Sequence, residues 1–357
     1  MEAELFTDGN RDGQRGTAMR KKILCAVCFL ALLVSVWSCG KQPSGQKHTQ
    51  PEEAQELEGY ITVGFAEVGS ESDWRRAHTQ SYRETFSTEN GYYLLFEDAQ
   101  QKQENQLKAV RNFILQEVDY IILDPIVETG WDAVLQEAKA AGIPVILADR
   151  FAEVSDEELY TCWVGSNFRA EGERAGRWLE RHLERCGRGN ETIRIVTLQG
   201  TPESSAQIGR TEGFAEVMSG HENWVMLDAK SGDFTQAKGQ EVMEEFLRSY
   251  EEIDVVVSEN DNMTFGAVDA IREAGKTCGP EGDIVMISFD ATQAAFEAML
   301  RGEINVDFEC NPILGPKISE IIRKLEKGET VEKIQYVQEQ YFDTTMNLKK
   351  IMETRVY

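Results

Sequence analysis

The residues with the clearest capacity for recognition chemistry lie in one short segment, VGFAEVGSESDWRRAHTQS, at positions 63–81. The segment begins as an apolar run and then places Glu71, Trp74 and Arg75 within five residues of one another. A carboxylate accepts hydrogen bonds, a guanidinium donates them in a planar fork, and an indole ring offers a flat apolar surface. We therefore predict that this segment helps to bind a small polar molecule that has one apolar face.

Further polar side chains follow other apolar runs of the sequence. They are carboxylates, guanidiniums and one amide, namely Asp149, Arg150, Arg210, Asn260 and Asp290. In open α/β sheets, ligands bind beyond the carboxyl ends of the strands, so these side chains are expected at one edge of the predicted sheets. A sugar matches them because its vicinal hydroxyls pair with carboxylates and guanidiniums, while its C–H face packs on an aromatic ring. We therefore predict a site for an uncharged sugar, in which Asp149 limits the cost of burying Arg150.

Each of these residues also has an ordinary structural interpretation. Asp124, which stands before a proline, is typical of a turn. Asp149 and Arg150 fit a solvated ion pair at a strand end. Asp261 fits the N-cap of the helix that follows it, and Trp74 fits a core or interface position. The functional prediction therefore rests on the shared placement of these residues at strand ends and not on any single one of them.

The sequence lacks the motifs of common enzyme classes. It contains no GxSxG elbow, no GxxxxGK[ST] loop and no HExxH pair. A glycosidase would need two carboxylates held across its substrate, and no pair is marked as such. The four histidines are scattered, one in a predicted tether and three on predicted helix surfaces: His48, His78, His182 and His221. We predict a binding protein without catalytic residues and without a cofactor.

Composition sets the broad limits. The chain has 357 residues, of which 41% are hydrophobic, enough for two domains with their own cores. It carries 62 acidic and 37 basic residues, for a formal net charge of -25. Because nucleic acids bind to basic surfaces, we predict that no nucleic acid is a partner.

Residues 19–39 have the composition of a bacterial lipoprotein signal peptide. They begin with the basic sequence MRKK and continue with an apolar run at 23–37. This run is shorter than the ~20 residues of a membrane span and has the length of a secretion signal. It ends in VWSCG, which predicts Cys39 as the lipidated residue, although Trp37 is larger than the residue usual there. Simple cleavage and an uncleaved membrane anchor are the alternatives.

The segments on either side of this signal follow from the same interpretation. We expect residues 1–18, which precede the basic start at Met19, to be an upstream extension that is not native to the protein. Residues 40–59 are rich in Gln, Ser, Pro, Glu and Lys and predict a flexible tether. The body of the protein is therefore expected outside the cytoplasm, in the periplasm or at the cell membrane, which it touches only through the lipid anchor.

From residue 60 onward, short apolar runs alternate with segments of helical period. Runs that are apolar on both faces are typical of parallel strands covered by helices on each side. Two sets of such units, separated near residues 164–166, predict an α/β fold of two doubly wound parallel-sheet lobes joined by a hinge. The lobe assignment is 60–166 plus 311–330 for the N-terminal lobe and 167–310 plus 331–357 for the C-terminal lobe.

Beyond the signal segment four cysteines remain: Cys162, Cys186, Cys278 and Cys310. Disulfides are allowed outside the cytoplasm, and four cysteines permit three full pairings, between which the sequence does not choose. No CxxC or Cys/His spacing typical of a metal site occurs among them. We predict no metal site and leave the disulfide pairing open.

Five segments, in chain order, carry a resemblance to a known family: VGFAEVGSESDWR, AQQKQENQLKAVRNFI, ETGWDAVLQEAKAAGIPVILADR, SGDFTQAKGQEVMEEF and END. The body of the chain resembles the ribose-type periplasmic sugar-binding proteins of ABC importers, and within them the galactofuranose-binding members. The resemblance implies a type I periplasmic binding protein fold and a monosaccharide held in the cleft between two lobes. It also implies a monomer that presents its closed form to an ABC permease. The alternative is a sugar-sensing module that presents the closed form to a chemoreceptor or a sensor kinase.

The resemblance also implies ligand-binding roles for nine residues: Glu71, Trp74, Arg75, Asp149, Arg150, Arg210, Asn260, Asp290 and, where the match is weaker, Glu309. Two positions depart from the pattern expected of the relatives. Asp73 stands where they are expected to carry glycine, and Ala291 stands where a glycine commonly follows the aspartate. These departures leave open which sugar is bound and whether it is a furanose or a pyranose.

Overall fold

Strands form where the sequence is apolar on both faces, and helices form between them. The structure is a computed structural model that describes residues 59–357. Its strands are β1 (Ile61–Glu67), β2 (Tyr92–Asp98), β3 (Tyr120–Leu123), β4 (Val145–Ala148), β5 (Cys162–Gly165), β6 (Ile193–Gln199), β7 (Trp224–Ser231), β8 (Val255–Ser258), β9 (Val285–Asp290), β10 (Val306–Glu309), β11 (Ile334–Tyr336) and β12 (Tyr341–Asp343). Its α-helices are α1 (Asp73–Thr85), α2 (Gln103–Leu115), α3 (Asp132–Ala141), α4 (Phe168–Arg185), α5 (Ser205–Met218), α6 (Gln236–Ser249), α7 (Asp261–Glu273), α8 (Gln293–Leu300), α9 (Gly315–Glu326) and α10 (Leu348–Met352).

The strands form two six-stranded sheets, each in its own lobe. Their orders are β11-β5-β4-β3-β1-β2 and β12-β10-β9-β8-β6-β7. All pairs are parallel except β10 with β12. The central strands β3, β4 and β8 are buried along their whole length, as expected for sheets covered by helices on both faces. The predicted fold class, two doubly wound parallel-sheet lobes, is confirmed.

The last crossing between the lobes falls later in the chain than the sequence assignment places it. That assignment puts residues 331–357 in the C-terminal lobe, but β11 pairs with β5 in the first sheet. The chain then crosses, and β12 pairs with β10 in the second sheet. The boundary therefore lies between Tyr336 and Tyr341. Sequence periodicity misses β11 because this strand has only three residues and is largely exposed.

Three chain segments form the hinge. The first runs from β5 into α4 through Ser166, the second from β10 toward α9 through Cys310, and the third from β11 to β12 through Glu339. The first crossing lies at the position predicted near residues 164–166.

Hydrogen bonds join the two lobes across the cleft opposite the hinge segments. The Asp73 amide donates to Asn262 Oδ1 at 2.9 Å. The Phe151 amide donates to Ser205 Oγ at 2.8 Å. The backbone of residue 128 donates to the backbone carbonyl of residue 203 at 2.9 Å. The structure is therefore a closed form, in which direct contacts between the lobes hold the cleft together.

Glycines let α4 and α5 approach until their backbones touch. A Cβ on Gly172 would stand 2.2 Å from the Arg210 carbonyl oxygen. A Cβ on Gly213 would stand 2.0 Å from the Arg169 carbonyl oxygen. This contact fixes α5, which carries Arg210, against α4, which carries Glu171.

Several sequence predictions concern residues outside the described range. Cys39, residues 1–18, the signal segment 19–39 and most of the tether 40–59 lie there. Among residues 59–357, no helix combines the length and hydropathy needed to cross a bilayer. All four cysteines of this range are free thiols.

Gly213→Ala is expected to lower the free energy of unfolding by about 1–3 kcal/mol, the usual cost of overpacking. The added Cβ would meet the α4 backbone, which has no room to move away. Urea denaturation followed by circular dichroism measures the change. Gly220→Ala is the matched control just beyond α5, since its Cβ would stand 3.4 Å from its nearest neighbour, Val217 O. That variant should stay within about 0.5 kcal/mol of the wild type. Equal stability of G213A and the wild type would contradict the close-contact explanation.

Candidate functional site

A cavity lies between the lobes, at the carboxyl ends of the central strands, and the open space there, including solvent at its mouth, is about 290 Å³. Its lining residues are Glu71, Ser72, Trp74, Arg75, Asp149, Arg150, Phe168, Ala206, Arg210, Phe234, Asn260, Asp290 and Cys310. Eight of the nine residues predicted to bind a ligand are among them, and Glu309 is not. The structure therefore gathers eight of the nine predicted residues around one space between the lobes.

The start of α1 brings an aromatic ring to the cavity. Ser72 is the N-cap of this helix, and its Oγ accepts a hydrogen bond from the Arg75 amide at 3.0 Å. Trp74 Nε1 donates to the Cys310 carbonyl oxygen at 2.6 Å. The Trp74 ring also stacks on His78, with ring centroids 4.9 Å apart. Because the indole is held at its N–H and by the stacked ring, it forms a fixed apolar wall of the cavity.

Arg75 is surrounded by four carboxylates. Its Nε donates to Glu71 Oε1 at 3.0 Å. Its Nη1 contacts Glu67 at 3.3 Å, Asp149 at 3.1 Å and, by a short hydrogen bond, Asp124. Burial alone would lower the pKa of Arg75, but these carboxylates raise it well above its ordinary value. Arg75 is therefore a permanent cation that aligns Glu71 and Asp149 at the cavity wall.

Arg150 and Glu71 each keep a polar atom unused. Arg150 Nη1 donates to the Ile126 carbonyl oxygen at 3.2 Å, and Nη2 lies 3.8 Å from Glu71 Oε1. Arg150 Nε and Glu71 Oε2 are buried and have no hydrogen-bond partner among the described residues. An unpaired buried polar group costs about 1–3 kcal/mol, and more when it is charged. Both residues line the cavity, so a ligand bound there would lie close to this donor and this acceptor.

Arg210 is the corresponding cation of the second lobe. Its Nε donates to Glu171 Oε2 at 2.7 Å, and its Nη1 donates to the Glu259 carbonyl oxygen. Its Nη2 lies 3.7 Å from Asp290 Oδ1, and its guanidinium carbon is 5.4 Å from the centre of the Phe168 ring. Burial would lower the pKa of Arg210, but Glu171 raises it well above the ordinary value. Arg210 is therefore charged and oriented by residues that lie behind it.

Asn260 serves both the fold and the cavity. It is the N-cap of α7, and its Oδ1 accepts a hydrogen bond from the Met263 amide at 2.9 Å. Its Nδ2 donates to the Phe234 carbonyl oxygen at 3.1 Å, which uses one of its two N–H bonds. The capping role that the sequence favours for Asp261 is wrong, because Asp261 begins the helix and accepts hydrogen bonds from the amide and hydroxyl of Thr292.

The end of β9 holds Asp290 in an unusual backbone conformation. Asp290 has a φ of 111° and Ala291 a φ of 58°, a region that L-residues rarely adopt. Burial raises the pKa of Asp290 well above its ordinary value, and the nearby Arg210 opposes this shift. Glycine adopts a positive φ readily, which explains why the relatives are expected to carry glycine where this chain has Ala291.

Glu309 faces a different neighbourhood from the cavity. Its Oε1 accepts hydrogen bonds from Arg355 Nη1 at 2.7 Å and from the Tyr357 hydroxyl at 2.9 Å. Its Oε2 accepts a hydrogen bond from the Gln340 amide at 3.0 Å. The structure therefore does not place Glu309 beside the other eight residues predicted to bind a ligand. The residues that bond to this carboxylate lie 31 to 48 residues away in sequence, so no local sequence pattern reveals these contacts.

Sequence reasoning also missed part of the site. Phe168 and Phe234 add two aromatic rings to the cavity lining. His78, predicted on a helix surface, is fully buried, and its Nδ1 lies 3.0 Å from Glu67 Oε2. The sequence signal for the burial of His78 is its position four residues after Trp74, which puts both residues on the same face of α1.

Two clusters of the described residues have the spacing of a metal site. In one of them, formed by Glu171, Cys310 and Glu339, the guanidinium of Arg210 already bonds to Glu171. In the other, Glu67, His78 and Asp124 offer ligand atoms that all lie within 4.8 Å of one another. The guanidinium of Arg75, however, bonds to both of these carboxylates. Since a guanidinium of the protein already bonds within each cluster, we assign no metal to either of them.

Glu339 connects the three hinge segments. It accepts hydrogen bonds from Ser166 Oγ in the first segment and from the Asn311 amide, at 2.9 Å, in the second. Burial, and next the neighbouring Glu171, raises the pKa of Glu339 to about 9. The carboxyl is therefore protonated at neutral pH, which avoids a second negative charge beside Glu171.

The sequence model of one protein family matches this chain. It is described as the periplasmic binding protein domain, and it matches residues 63–312. The match runs from the first strand to the second hinge segment and so contains all the residues that line the cavity.

Three relatives illustrate the similarity. The galactofuranose-binding protein YtfQ of Escherichia coli (strain K12) is 41% identical over 274 residues, which cover 76% of this chain and 84% of that protein. A crystal structure from Mycobacterium smegmatis in complex with β-D-fucofuranose is 41% identical, with a TM-score of 0.78 over 82% of this chain and 94% of that chain. The periplasmic binding protein component of the arabinose ABC transporter from Shewanella sp. ANA-3, bound to α- and β-L-arabinofuranose, is 40% identical, with a TM-score of 0.77 over 82% of this chain and 95% of that chain.

The free energy of unfolding is expected to fall as the pH rises from about 7.5 to 9.5. The pKa of Glu339 in the folded protein is about 9, above its ordinary value of 4.5, so folding favours the protonated form. That contribution is complete below pH 4.5 and is lost as the pH rises through 9. Urea denaturation at several pH values measures the slope.

Glu339→Gln is the control for this prediction, because the amide stays neutral and its oxygen still accepts the two hydrogen bonds. Its stability should change less over the same range. Glu67 and Glu259, whose pKa values burial raises to about 7, titrate mainly below this range. Identical slopes for E339Q and the wild type would show that Glu339 is not the group responsible.

Proposed function

The chain belongs to the periplasmic binding protein domain family, and we propose that it binds galactofuranose or a related monosaccharide in the interlobe cavity and delivers it to an ABC permease. One observation carries this proposal more than any other. Arg150 and Glu71 line the cavity, and each has a buried polar atom, the donor Arg150 Nε and the acceptor Glu71 Oε2, that has no partner among the described residues. A sugar supplies both partners, since each hydroxyl is a donor and an acceptor.

The remaining lining suits the rest of a sugar ring. Trp74, Phe168 and Phe234 offer apolar surfaces for its C–H groups. Arg210 and Asp290 offer polar contacts from the second lobe. The cations are balanced by carboxylates of the protein itself, as the ion pairs of Arg75 and Arg210 illustrate. The site therefore does not need a charged ligand to balance it, and a neutral sugar can bind.

A furanose is the ligand that we propose. Two relatives of about 40% identity were solved with furanose sugars, and a third is named for galactofuranose. All the residues that line the cavity lie within residues 63–312, the part of the chain that the family model matches. Asp73 does not line the cavity, and its backbone amide bonds to Asn262 across the cleft.

Binding and delivery follow from the closed form. Contacts from both lobes to one ligand stabilise the closed state over the open one, which is a shift of population by differential affinity. The permease then receives a closed, loaded protein, and the sugar is released unaltered. We favour transport over the sensor alternative because the Shewanella relative is named as a component of an ABC transporter.

We further propose that the protein acts as a monomer outside the cytoplasm and is tethered by a lipid on Cys39. The basic and apolar composition of residues 19–39 supports this location. Cys39→Ser should abolish incorporation of radiolabelled palmitate and move the protein from the membrane fraction to the soluble fraction. Cys25→Ser, within the same apolar run, is the control and should change neither result. Unchanged labelling of C39S would refute the anchor.

Sugar binding tests the proposed function directly. Isothermal titration calorimetry with D-galactose, D-fucose and L-arabinose, each equilibrated with its furanose form, should detect binding of at least one. The methyl pyranoside of the same sugar cannot form the furanose ring and should not bind. Binding of the pyranoside instead would overturn the furanose preference, and binding of none of these sugars would overturn the proposal.

Arg150→Ala and Asp290→Ala should each weaken binding of that sugar by at least about 2 kcal/mol, the scale of a hydrogen bond to a charged group. This corresponds to roughly thirtyfold in the dissociation constant. Arg181→Ala, which removes an exposed arginine of α4, is the matched control and should bind like the wild type. Unchanged affinity in both cavity variants would refute the site.

A further inference from the structure

The last residues of the chain lie against the strand end that carries Asp290. After α10, the Tyr357 carbonyl oxygen accepts a hydrogen bond from the Gln293 amide at 2.9 Å. The Arg355 carbonyl oxygen accepts one from Gln293 Nε2 at 3.0 Å. This segment is thus fixed to the start of α8, immediately after the loop that follows β9.

Arg355 is the central residue of this contact. Its Nη1 donates to Glu309 Oε1 at 2.7 Å, and its Nη2 donates to the Ala291 carbonyl oxygen at 2.7 Å. Its side chain is only 8% exposed, and its guanidinium lies over three rings, those of Phe296, Phe342 and Tyr357, at 5.2, 5.1 and 4.3 Å. Burying an arginine is unfavourable unless its charge is paired, and Glu309 provides that pair.

The backbone that Arg355 holds is strained. Ala291 has a left-handed φ of 58°, and a conformation of this kind costs an L-residue roughly 1–2 kcal/mol. Both of its backbone polar groups are held by side chains. The Ala291 amide donates to Asp307 Oδ1 at 3.1 Å, and its carbonyl oxygen accepts from Arg355. The residue directly before it is Asp290, which lines the cavity.

We propose that Arg355 is a positioning residue for sugar binding, which holds residues 290 and 291 in the backbone conformation that places Asp290 at the cavity. Glu309 acts one step further away by orienting Arg355. This inference rests on the proposed function, because it concerns how the same cavity binds its ligand. It gives Glu309 an indirect role in place of the direct ligand contact that the family resemblance implies.

A simpler role for Arg355 is to attach the end of the chain to the lobe. The two roles differ in their dependence on residue 291. Glycine adopts a positive φ without a steric penalty, so Ala291→Gly removes most of the need for a side chain that holds the strained backbone. If Arg355 positions Asp290, its loss should matter much less in the A291G background. If it only attaches the chain end, its loss should have the same effect in both backgrounds.

The test is a double-mutant cycle on sugar affinity. Calorimetry with L-arabinose, or with whichever sugar of the panel binds the wild type most tightly, compares the wild type, R355M, A291G and R355M/A291G. Methionine keeps an apolar stem between the three rings and removes the donors. We expect R355M alone to weaken binding by roughly tenfold or more, as for a lost hydrogen bond to a charged group. In the A291G background the same substitution should weaken binding by less than about threefold.

Lys350→Ala, at an exposed position of α10, is the matched control and should leave affinity unchanged. Urea denaturation establishes that each variant is folded at the assay temperature. If R355M does not fold, Glu309→Gln, which weakens the hold on Arg355 with little change of shape, replaces it in the same cycle. Wild-type affinity in R355M, or an equal loss in both backgrounds, would overturn the positioning role while the wild type still binds sugar. Absence of sugar binding by the wild type would overturn the proposed function, and this inference with it.

Discussion

The cleft depends on one constraint: charges buried between the lobes have to be balanced by the protein before a neutral ligand arrives. Arg75 meets this constraint with four carboxylates, and Arg210 meets it with Glu171 and a backbone carbonyl. Burial of unpaired ions costs several kcal/mol each, so these networks are a condition for having a dry polar site at all. Arg150 and Glu71, which line the cavity, are among the residues that keep a buried polar atom without a partner among residues 59–357. We propose that the ligand completes the network there.

The fold supplies the framework for this balance. Parallel strands in both lobes end at the cleft, which brings the carboxylates and guanidiniums to a common edge. The hinge avoids a further buried charge, because Glu339 bonds to two other hinge segments and stays protonated beside Glu171. The left-handed backbone at residues 290 and 291 is maintained by side chains that lie outside the cavity. Recognition thus extends well beyond the residues that touch a ligand.

Much of this arrangement could be predicted from sequence, and the failures have identifiable physical causes. The apolar runs and the strand-end rule predict two parallel-sheet lobes and eight residues of the cavity, because both depend on local patterns. The contacts of Glu309 cannot be predicted from local patterns, because Arg355 and Tyr357 reach it from distant parts of the chain. β11 is too short and too exposed to produce a pattern, so the sequence places the lobe boundary too early. His78 has the polarity of a surface residue, but the ring of Trp74 and the carboxylate of Glu67 bury it.

A crystal structure of the protein grown with the sugar that binds most tightly in calorimetry tests the central claim most directly. The claim predicts hydroxyl oxygens of a furanose ring within about 2.7–3.2 Å of Arg150 Nε and of Glu71 Oε2, the ordinary range of such hydrogen bonds. It also predicts that Arg75 and Arg210 keep their carboxylate partners when the ligand is bound. A sugar bound elsewhere, or one bound in the cavity that leaves Arg150 Nε and Glu71 Oε2 unpaired, would contradict the account.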